Sequence, residues 1–558
     1  MNRKRSLVWT ILLVLVLMVT ACSSGSQEGG VQPKENDANA SKQNASSDSG
    51  KNAAEQVLIF GRGGDSVALD PGIVTDGESL KVTLNIFDTL LDYEEGTTNV
   101  IPHLAKDWEI SEDGLTYTFY LEQGVKFHDG TDFNADAVVF NFERWMLPDH
   151  PHRYSDQDIT FEYYNSQFGG TIDQDGHVIA KVEKVDEHIV RFHLTRPQAP
   201  FLQNIAMPPF AIASPEAIKT HGDKFMENPV GTGPFTFQEW KRNDYITLVK
   251  NPNFWQAGYP KLDKLIYRSI PDNGARFNAL LSGQITIMDG INPDDIALVE
   301  KNPDFQIIKR PPMNVGYLGF NVEKPPLDNP KVRIALSHAV NKEALIQAFF
   351  NGMAEPAKNP MPPSIWGYND EIEDYPYDLE KAKQLLAEAG YPDGFELELW
   401  AMPVPRDYMP NGMKIAEALQ ADFAKIGVQT TIITRDWTVY LDETRQGKQE
   451  MFLLGWTGDN GDPDNFIYVL LDQDNINGSN RARYTNDEVH KLLIEAQTVT
   501  DQSRRVELYK QAQAMIHQDA PWVPLVHSTP VLVGSSKIQD YVAWPTGSEK
   551  LTRVYLAE

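Results

Sequence analysis

A glycine-rich acidic segment has the residue types needed to bind a small cationic group. Residues 455–466 read GWTGDNGDPDNF and follow a short apolar run, residues 451–454, that predicts a buried strand. Glycines let a ligand approach the backbone closely, an indole offers a flat apolar wall, and a partly enclosed carboxylate suits an ammonium group. The same composition is also typical of a solvated acidic turn, so the segment alone leaves both interpretations open.

A single arginine provides the complementary chemistry. Residues 399–411 read LWAMPVPRDYMPN, in which Arg406 is the lone cation among prolines, methionines and aromatic residues. A guanidinium in a stiff, apolar setting is well suited to hold a carboxylate through two parallel hydrogen bonds. Stacking of Arg406 on Tyr408 or Trp400 would explain the same pattern without a ligand.

Together these segments resemble the ligand loops of the dipeptide-binding proteins of bacterial ABC importers, within the peptide and nickel group of extracytoplasmic solute-binding proteins. The resemblance implies that Arg406 holds the carboxylate of a peptide and that Asp459 holds its amino group. The further ligand-binding residues that it implies are Trp456 and Tyr408, as walls for the peptide side chains, with Thr457 and Gly458. Because both termini would be held, a dipeptide is favoured over longer peptides, with tripeptides as an open alternative.

A third segment is similar to the first ligand loop of the same family. Residues 57–60 predict a strand, and residues 61–79, GRGGDSVALDPGIVTDGES, follow it. By position, the resemblance implies that Thr75, Asp76 and Gly77 lie along the peptide. The glycines do not form a phosphate-binding loop, since neither a G-K-[ST] ending nor a G-x-G-x-x-G helix opening is present.

The N-terminus resembles a bacterial lipoprotein signal. Basic residues 3–5 precede an apolar run over residues 7–19, and the sole cysteine, Cys22, follows two small residues. The resemblance implies removal of residues 1–21 and lipidation of Cys22, which would anchor the protein to the outer face of the cell membrane. A plain transmembrane anchor is the weaker interpretation, because the apolar run is shorter than the roughly 20 residues that span a bilayer.

The segment after the cysteine predicts a flexible tether over residues 22–55. Residues 23–51 contain no aromatic residue and one aliphatic residue other than alanine, so they cannot bury enough apolar surface to offset the entropy of ordering. The expected location is therefore extracytoplasmic, on a lipid anchor that leaves the protein free to turn.

Charge and motifs argue against several other functions. The net charge of −28 disfavours nucleic acid or anionic lipid as an electrostatically held partner. No H-E-x-x-H or G-x-S-x-G motif is present, and Asp462 and Asp464 are poor candidates for glycoside hydrolysis, so no enzyme activity is expected. A calcium loop starting at Asn460 fails at Asn465, where glycine is expected, and at Leu471, where glutamate is expected. No cofactor and no metal site are expected.

The main alternative is a different ligand on the same fold, such as a longer oligopeptide, a nickel chelate, haem, an opine or an oligosaccharide. The 12 histidines are scattered along the sequence, whereas direct ligation of nickel or haem would favour clustered His or Met. The pairing of Arg406 with Asp459 favours a zwitterion.

Helix and strand patterns alternate in the half of the chain that carries both candidate charges. Helices predicted at 379–389 and 413–425 are each followed by a predicted strand, FELELW and VQTTII. This alternation places Arg406 and Asp459 in loops that follow strands, where ligands bind in open α/β sheets. Residues 160–186, in contrast, are an irregular polar stretch that predicts additional loop.

The resemblance covers roughly residues 57–545 and implies an α/β, two-lobed periplasmic-binding-protein-like fold, class II and cluster C type, with an extra small domain and a hinge of two crossovers. The expected crossovers lie near 314–320 and 527–533. The expected parts are lobe I (56–98, 205–313 and 531–558), an accessory domain (99–204) and lobe II (314–530). Such a protein would close over a short peptide and deliver it to the transmembrane subunits of an ABC permease.

Overall fold

The structure, a computed structural model, describes residues 55–558. The predicted signal peptide, Cys22 and the predicted tether up to residue 54 lie outside the described residues. Within residues 55–558, no helix combines the length and the apolar character needed to cross a membrane.

The strands of the described part of the chain form two large sheets, one smaller sheet and two short strand pairs. In chain order they are β1 (Val57–Arg62), β2 (Leu91–Tyr93), β3 (Val100–Pro102), β4 (Ala105–Ile110), β5 (Thr116–Leu121), β6 (Ile179–Asp186), β7 (Ile189–Leu194), β8 (Phe235–Lys241), β9 (Tyr245–Lys250), β10 (Lys264–Ser269), β11 (Ile287–Met288), β12 (Phe305–Lys309), β13 (Asn314–Phe320), β14 (Ala354–Pro356), β15 (Glu396–Trp400), β16 (Gln429–Ile433), β17 (Met451–Thr457), β18 (Trp522–Ser528), β19 (Val531–Ser535), β20 (Ile538–Gln539) and β21 (Tyr555–Leu556).

Helices separate and cover these strands. In chain order they are α1 (Gly77–Thr83), α2 (Ala135–Met146), α3 (Glu162–Phe168), α4 (Phe201–Ile205), α5 (Pro215–His221), α6 (Asn273–Leu281), α7 (Ile296–Val299), α8 (Pro330–His338), α9 (Lys342–Phe349), α10 (Leu379–Glu388), α11 (Gly412–Ala424), α12 (Trp437–Arg445), α13 (Ile467–Leu471), α14 (Asp487–Thr498) and α15 (Gln502–Asp519).

Local sequence signals account for several helix limits. The side chains of Asn134 and Asn329 accept hydrogen bonds from the first turns of α2 and α8, and Pro330 occupies the first position of α8. Gly390 and Gly427 follow α10 and α11 with φ of 94° and 85°, a left-handed conformation that glycine adopts without steric cost. The two predicted helices before the candidate loops are therefore present where the sequence placed them.

The strands of the expected lobes I and II form separate sheets. The seven-stranded sheet has the order β12-β19-β11-β1-β10-β9-β8, and the six-stranded sheet has the order β14-β18-β13-β17-β15-β16. Strands β15, β16 and β17 run parallel, while β13 is antiparallel to both of its neighbours. The chain passes between the two sheets at residues 310–313 and again at 529–530.

The residues of the expected accessory domain form a four-stranded antiparallel sheet in the order β4-β5-β7-β6, covered by α2. The sequence-based expectation that residues 160–186 form additional loop is wrong in part, because α3 lies at the start of this stretch and β6 at its end. Helix α3 is stabilised by packing, since Tyr164 and Phe168 are buried in the core of the domain. This tertiary contact is invisible to local polarity.

Candidate functional site

Arg406 lies in the connection between β15 and α11, as predicted. Its backbone N–H donates to the carbonyl of Met409 at 3.1 Å and its carbonyl accepts from the Met409 N–H at 2.8 Å, which fixes a tight turn. The exposed guanidinium lies over the ring of Trp437, 5.4 Å from the ring centroid, and not on Tyr408 or Trp400. Among the described residues, no acidic side chain forms an ion pair with Arg406.

Tyr408 connects the arginine segment to the strand that leads into the acidic segment. The side chain is 8% exposed, and burial raises the pKa of its hydroxyl to about 12. A Cβ built on Gly455 would overlap the Tyr408 ring, and one built on Gly316 would overlap the Tyr408 carbonyl oxygen. Glycines on β17 and β13 are therefore required for this segment to lie on the sheet.

Asp459 is a half-buried carboxylate without a cationic partner among the described residues. The Tyr163 hydroxyl donates to its Oδ1 at 2.9 Å, and Asn465 Nδ2 donates to its Oδ2 at 3.1 Å. Burial raises the pKa of Asp459 to about 6, although the hydrogen bonds from Asn465 and Tyr163 act in the opposite direction. A ligand ammonium would compensate the charge of this carboxylate.

Asn465 organises the start of the acidic segment. Its Oδ1 accepts from the backbone N–H of Asp459 at 2.9 Å and from Nε1 of Trp456 at 3.0 Å. Because both groups bind the same oxygen, the Trp456 indole is fixed at the end of β17, and its orientation relative to Asp459 is fixed as well. No local pattern predicts this role for Asn465, which lies six residues downstream of Asp459.

Three of the predicted ligand-binding residues, Trp456, Thr457 and Gly458, lie in β17 or pack closely at its end. Trp456 and Thr457 pair with Val315 and Asn314 of β13, so β17 is longer than the apolar run suggested. A Cβ on Gly458 would lie 2.7 Å from the ring of Phe466, which means that this glycine is needed for close packing. The strand predicted from residues 451–454 therefore continues through residues 455–457, and the loop begins after Thr457.

The aspartates further along the segment hold the loop in place. Arg505 donates to both carboxylate oxygens of Asp462 at 2.7 and 2.8 Å, and both side chains are buried. Gln497 donates to Asp464 at 3.1 Å, while burial and the neighbouring charge of Asp462 raise the pKa of Asp464 to about 7. A bidentate buried pair of this kind is structural, which removes Asp462 as a candidate for catalysis or for calcium ligation.

The predicted first ligand loop lies next to the same site. Asp76 caps α1 by accepting from Ser79 N at 2.9 Å, while Thr75 is exposed and a Cβ on Gly77 would meet open space. Burial, the charge of Asp459 and, more weakly, the charge of Asp76 raise the pKa of Tyr163. Tyr163 thus binds Asp459 and is within electrostatic range of Asp76, a role that no local pattern in its irregular polar stretch predicts.

The cations of lobe I that face the arginine segment are already paired. Lys81 bonds Asp289, and Arg310 donates from Nε to Glu549 at 3.2 Å. The surface of Asp407, the residue after Arg406, is exposed, yet desolvation by the surrounding protein raises the pKa of this carboxyl, and the charge of Arg310 opposes this effect. The segment therefore lies within electrostatic range of Arg310. Among residues 55–558, Arg406 is therefore a cation of this region that has no ion-pair partner.

A separate group of side chains could hold a cation. Asp472, Asp474 and His490 each offer one ligand atom within 4.8 Å of the others. His490 Nδ1 lies 3.1 Å from both oxygens of Asp472, and Asp474 N donates to Asp472 at 2.9 Å. The group lies after α13, and its members already satisfy one another by hydrogen bonds.

Comparison with known proteins identifies the family of this chain. Residues 99–478 match the family described as bacterial extracellular solute-binding proteins, family 5 Middle. Haem-binding protein A of Haemophilus influenzae is 40% identical over 509 residues, which cover 89% of this chain and 92% of that protein. The dipeptide-binding protein of Escherichia coli is 40% identical over 513 residues, which cover 89% of this chain and 94% of that protein.

A solved structure shows the same fold. The periplasmic binding protein DppA of Helicobacter pylori, in complex with the peptide STSA, is 38% identical and superposes with a TM-score of 0.80 over 90% of this chain and 98% of that one. The predicted α/β, periplasmic-binding-protein-like fold and the predicted family are both confirmed. This chain belongs to family 5 of the bacterial extracellular solute-binding proteins.

Proposed function

We propose that this protein captures dipeptides outside the cell and delivers them to an ABC permease. The observation that carries the proposal is a pair of opposite charges, Arg406 and Asp459, which follow β15 and β17 of one sheet and have no ionic partner among the described residues. A zwitterion with a carboxylate and an ammonium would satisfy both. The dipeptide-binding relative and the peptide complex of the structural neighbour support the same ligand class.

Asp459 would bind the peptide ammonium and Arg406 the peptide carboxylate. The ammonium would favour the ionised form of Asp459, which burial disfavours. The guanidinium of Arg406 would bind the carboxylate either after it leaves the Trp437 ring or while it stays stacked on that ring. Trp456 and Tyr408 would line the side chains, and the remaining contacts would come from Thr457, Gly458, Thr75, Asp76 and Gly77. Removing one partner of a buried charge pair typically costs about 2–5 kcal/mol, or some tens- to thousands-fold in affinity.

Closure of lobe I and lobe II over the peptide would produce the form that the permease recognises. The separate sheets and their connections at residues 310–313 and 529–530 support the domain limits expected from the sequence. A peptide held by both lobes has a higher affinity for the closed state, so it shifts the population toward that state. The protein acts as a receptor without enzyme activity.

The N-terminal sequence supports a lipid anchor. Cys22 would carry the lipid after removal of residues 1–21, and residues 22–55 would tether the binding unit to the outer face of the cell membrane. The tether keeps the receptor close to the transmembrane subunits of its permease while it remains free to rotate.

The test compares a dipeptide with its N-acetylated and C-amidated forms by isothermal titration calorimetry, on the chain from residue 22 with Cys22→Ser. Binding of the free dipeptide with loss on blocking either end is the expected result. Asp459→Ala should then reproduce the loss at the amino end and Arg406→Ala the loss at the carboxyl end. Arg435→Ala is the matched control, because Arg435 stacks on Trp400 at 5.1 Å in the same lobe. Equal binding of all three ligands would refute the zwitterion proposal.

Haem is the second candidate ligand, because haem-binding protein A of Haemophilus influenzae is as similar to this chain as the dipeptide-binding relative. A haem titration followed by absorbance distinguishes the two. Competition between haem and dipeptide would place both ligands at one site, whereas haem binding that Asp459→Ala and Arg406→Ala leave unchanged would place haem elsewhere.

A further inference from the structure

Three consecutive residues of the acidic segment, which belongs to lobe II, contact three segments that lie outside lobe II. Asp459 accepts from Tyr163 in α3, and Asn460 Nδ2 donates to Asn204 Oδ1 in α4 at 3.0 Å. Gly461 packs against Thr98, in the turn between β2 and β3. Asn460 and Asn204 are 1% and 2% exposed, so this is a packed contact and not a surface encounter.

Gly461 is required by space and not by backbone conformation. Its φ lies outside the left-handed region, so any residue could adopt its backbone. A Cβ at this position, however, would overlap Thr98 Oγ1 and lie 2.5 Å from Thr98 Cβ. An added methyl group is therefore incompatible with the contact but compatible with the loop itself.

The three residues follow directly after a contact with one of the two connections between the sheets, because the backbone N–H of Gly458 donates to the carbonyl of Met313 at 2.8 Å. A backbone hydrogen bond, from Ala199 N to the Gln497 carbonyl at 2.6 Å, continues the same seam between the accessory domain and lobe II. Separation of lobe II from the rest of the molecule about residues 310–313 and 529–530 would break every contact in the seam. The loop is also fixed within lobe II, because Arg505 forms a buried ion pair with Asp462.

We propose that residues 459–461 form a latch that couples capture of the peptide ammonium to closure of the lobes, an inference that rests on the proposed function. Closure brings the Tyr163 hydroxyl to the Asp459 carboxylate and, in the same movement, brings Asn460 into contact with Asn204 and Gly461 into contact with Thr98. The latch stabilises the closed state by the same amount whatever the peptide side chains are. Peptide affinity then depends on the fraction of molecules that can close.

Gly461→Ala should weaken binding of every dipeptide by about 5- to 150-fold, the range for forcing one extra methyl group into a packed contact. Thr98→Gly removes the side chain that the methyl group meets. The double variant Gly461→Ala/Thr98→Gly should therefore bind within about threefold of Thr98→Gly alone. Such a recovery of affinity by a change at Thr98, outside lobe II, would not occur if Gly461→Ala merely distorted its own loop.

Affinities are measured by calorimetry on the chain from residue 22 with Cys22→Ser, with thermal midpoints as the folding control. Asn204→Ala, which acts from the other side of the seam, is the second variant if Gly461→Ala fails to fold, and it too should weaken all dipeptides equally. Unchanged affinity in Gly461→Ala, or a loss that Thr98→Gly does not rescue, would overturn the latch.

A distance measurement separates failure of the latch from failure of the proposed ligand. Because Cys22 is the sole cysteine, spin labels at Glu187→Cys and Lys491→Cys report the separation of the accessory domain from lobe II in the Cys22→Ser background. If the parent protein binds no dipeptide, the proposed function fails. The latch is then supported only if Gly461→Ala lengthens this distance in the ligand-free protein, and an unchanged distance overturns it.

Discussion

Dipeptide binding should weaken below pH 6 because Asp459 must lose its proton to hold an ammonium. In the closed arrangement of the structure, burial raises the pKa of Asp459 to about 6, so the carboxylate is mostly ionised at pH 7. At pH 5 about one molecule in ten carries the ionised form, and the apparent Kd should rise about tenfold, since it scales inversely with the competent fraction. The peptide carboxyl group, with a pKa of roughly 3.3–3.7, stays ionised over this range.

The assay is calorimetry with one dipeptide from pH 5 to pH 7.5, in the parent protein and in two variants. Asp459→Asn keeps the shape of the side chain and removes its titration, so its weaker binding should be flat over this range. Tyr163→Phe removes one of the two hydrogen bonds that lower the pKa of Asp459. The midpoint of the acid loss should therefore move to higher pH in this variant.

Two results would refute this reasoning. The first is an affinity that stays constant between pH 5 and pH 7.5 in the parent protein. The second is an acid loss of the same size in Asp459→Asn, which would assign the titration to another group. A histidine is the obvious competitor, because its ordinary pKa of about 6.5 lies in the same range.

Three further predictions concern the frame of the site. Arg406→Lys should weaken free dipeptides about tenfold in calorimetry, because an ammonium cannot bind a carboxylate through two parallel bonds, and should leave C-amidated dipeptides unchanged. Arg505→Ala should lower the free energy of unfolding by about 3–5 kcal/mol in urea denaturation, because it leaves the buried carboxylate of Asp462 unpaired, and a wild-type midpoint would contradict this. Gly455→Ala should displace Tyr408 and lower dipeptide affinity with little change in the pH midpoint, whereas a shifted midpoint would mean that Asp459 had moved as well.

The sequence was sufficient to predict the elements whose signals are local. The helix–strand alternation between residues 379 and 433, and the placement of Arg406 and Asp459 after strands, follow from periodicity and from glycines and prolines in the chain. The length of β17 could not be predicted from such local signals. Trp456 and Thr457 become strand residues only because β13 offers Val315 and Asn314 as pairing partners.

The contacts that complete the site depend on residues far apart in the chain. Tyr163 lies 296 positions before Asp459, and Arg505 lies 43 positions after Asp462. A tyrosine in a polar stretch and an arginine on an amphipathic helix are common features, so neither has a local pattern that marks its role. A three-dimensional arrangement is needed to show that both act on one loop.

The position of β19 in its sheet has a consequence for the order of folding. The strand lies between β11 and β12, and its residue Val531 pairs with Lys309, which precedes it by the whole length of lobe II. A growing or partly exported chain therefore contains a lobe I sheet with an unfilled gap until residues 531–535 emerge. Pairing over such long loops is slow, so this topology should delay completion of lobe I until the end of synthesis. A chain that completes its first sheet last therefore stays loosely folded for longer.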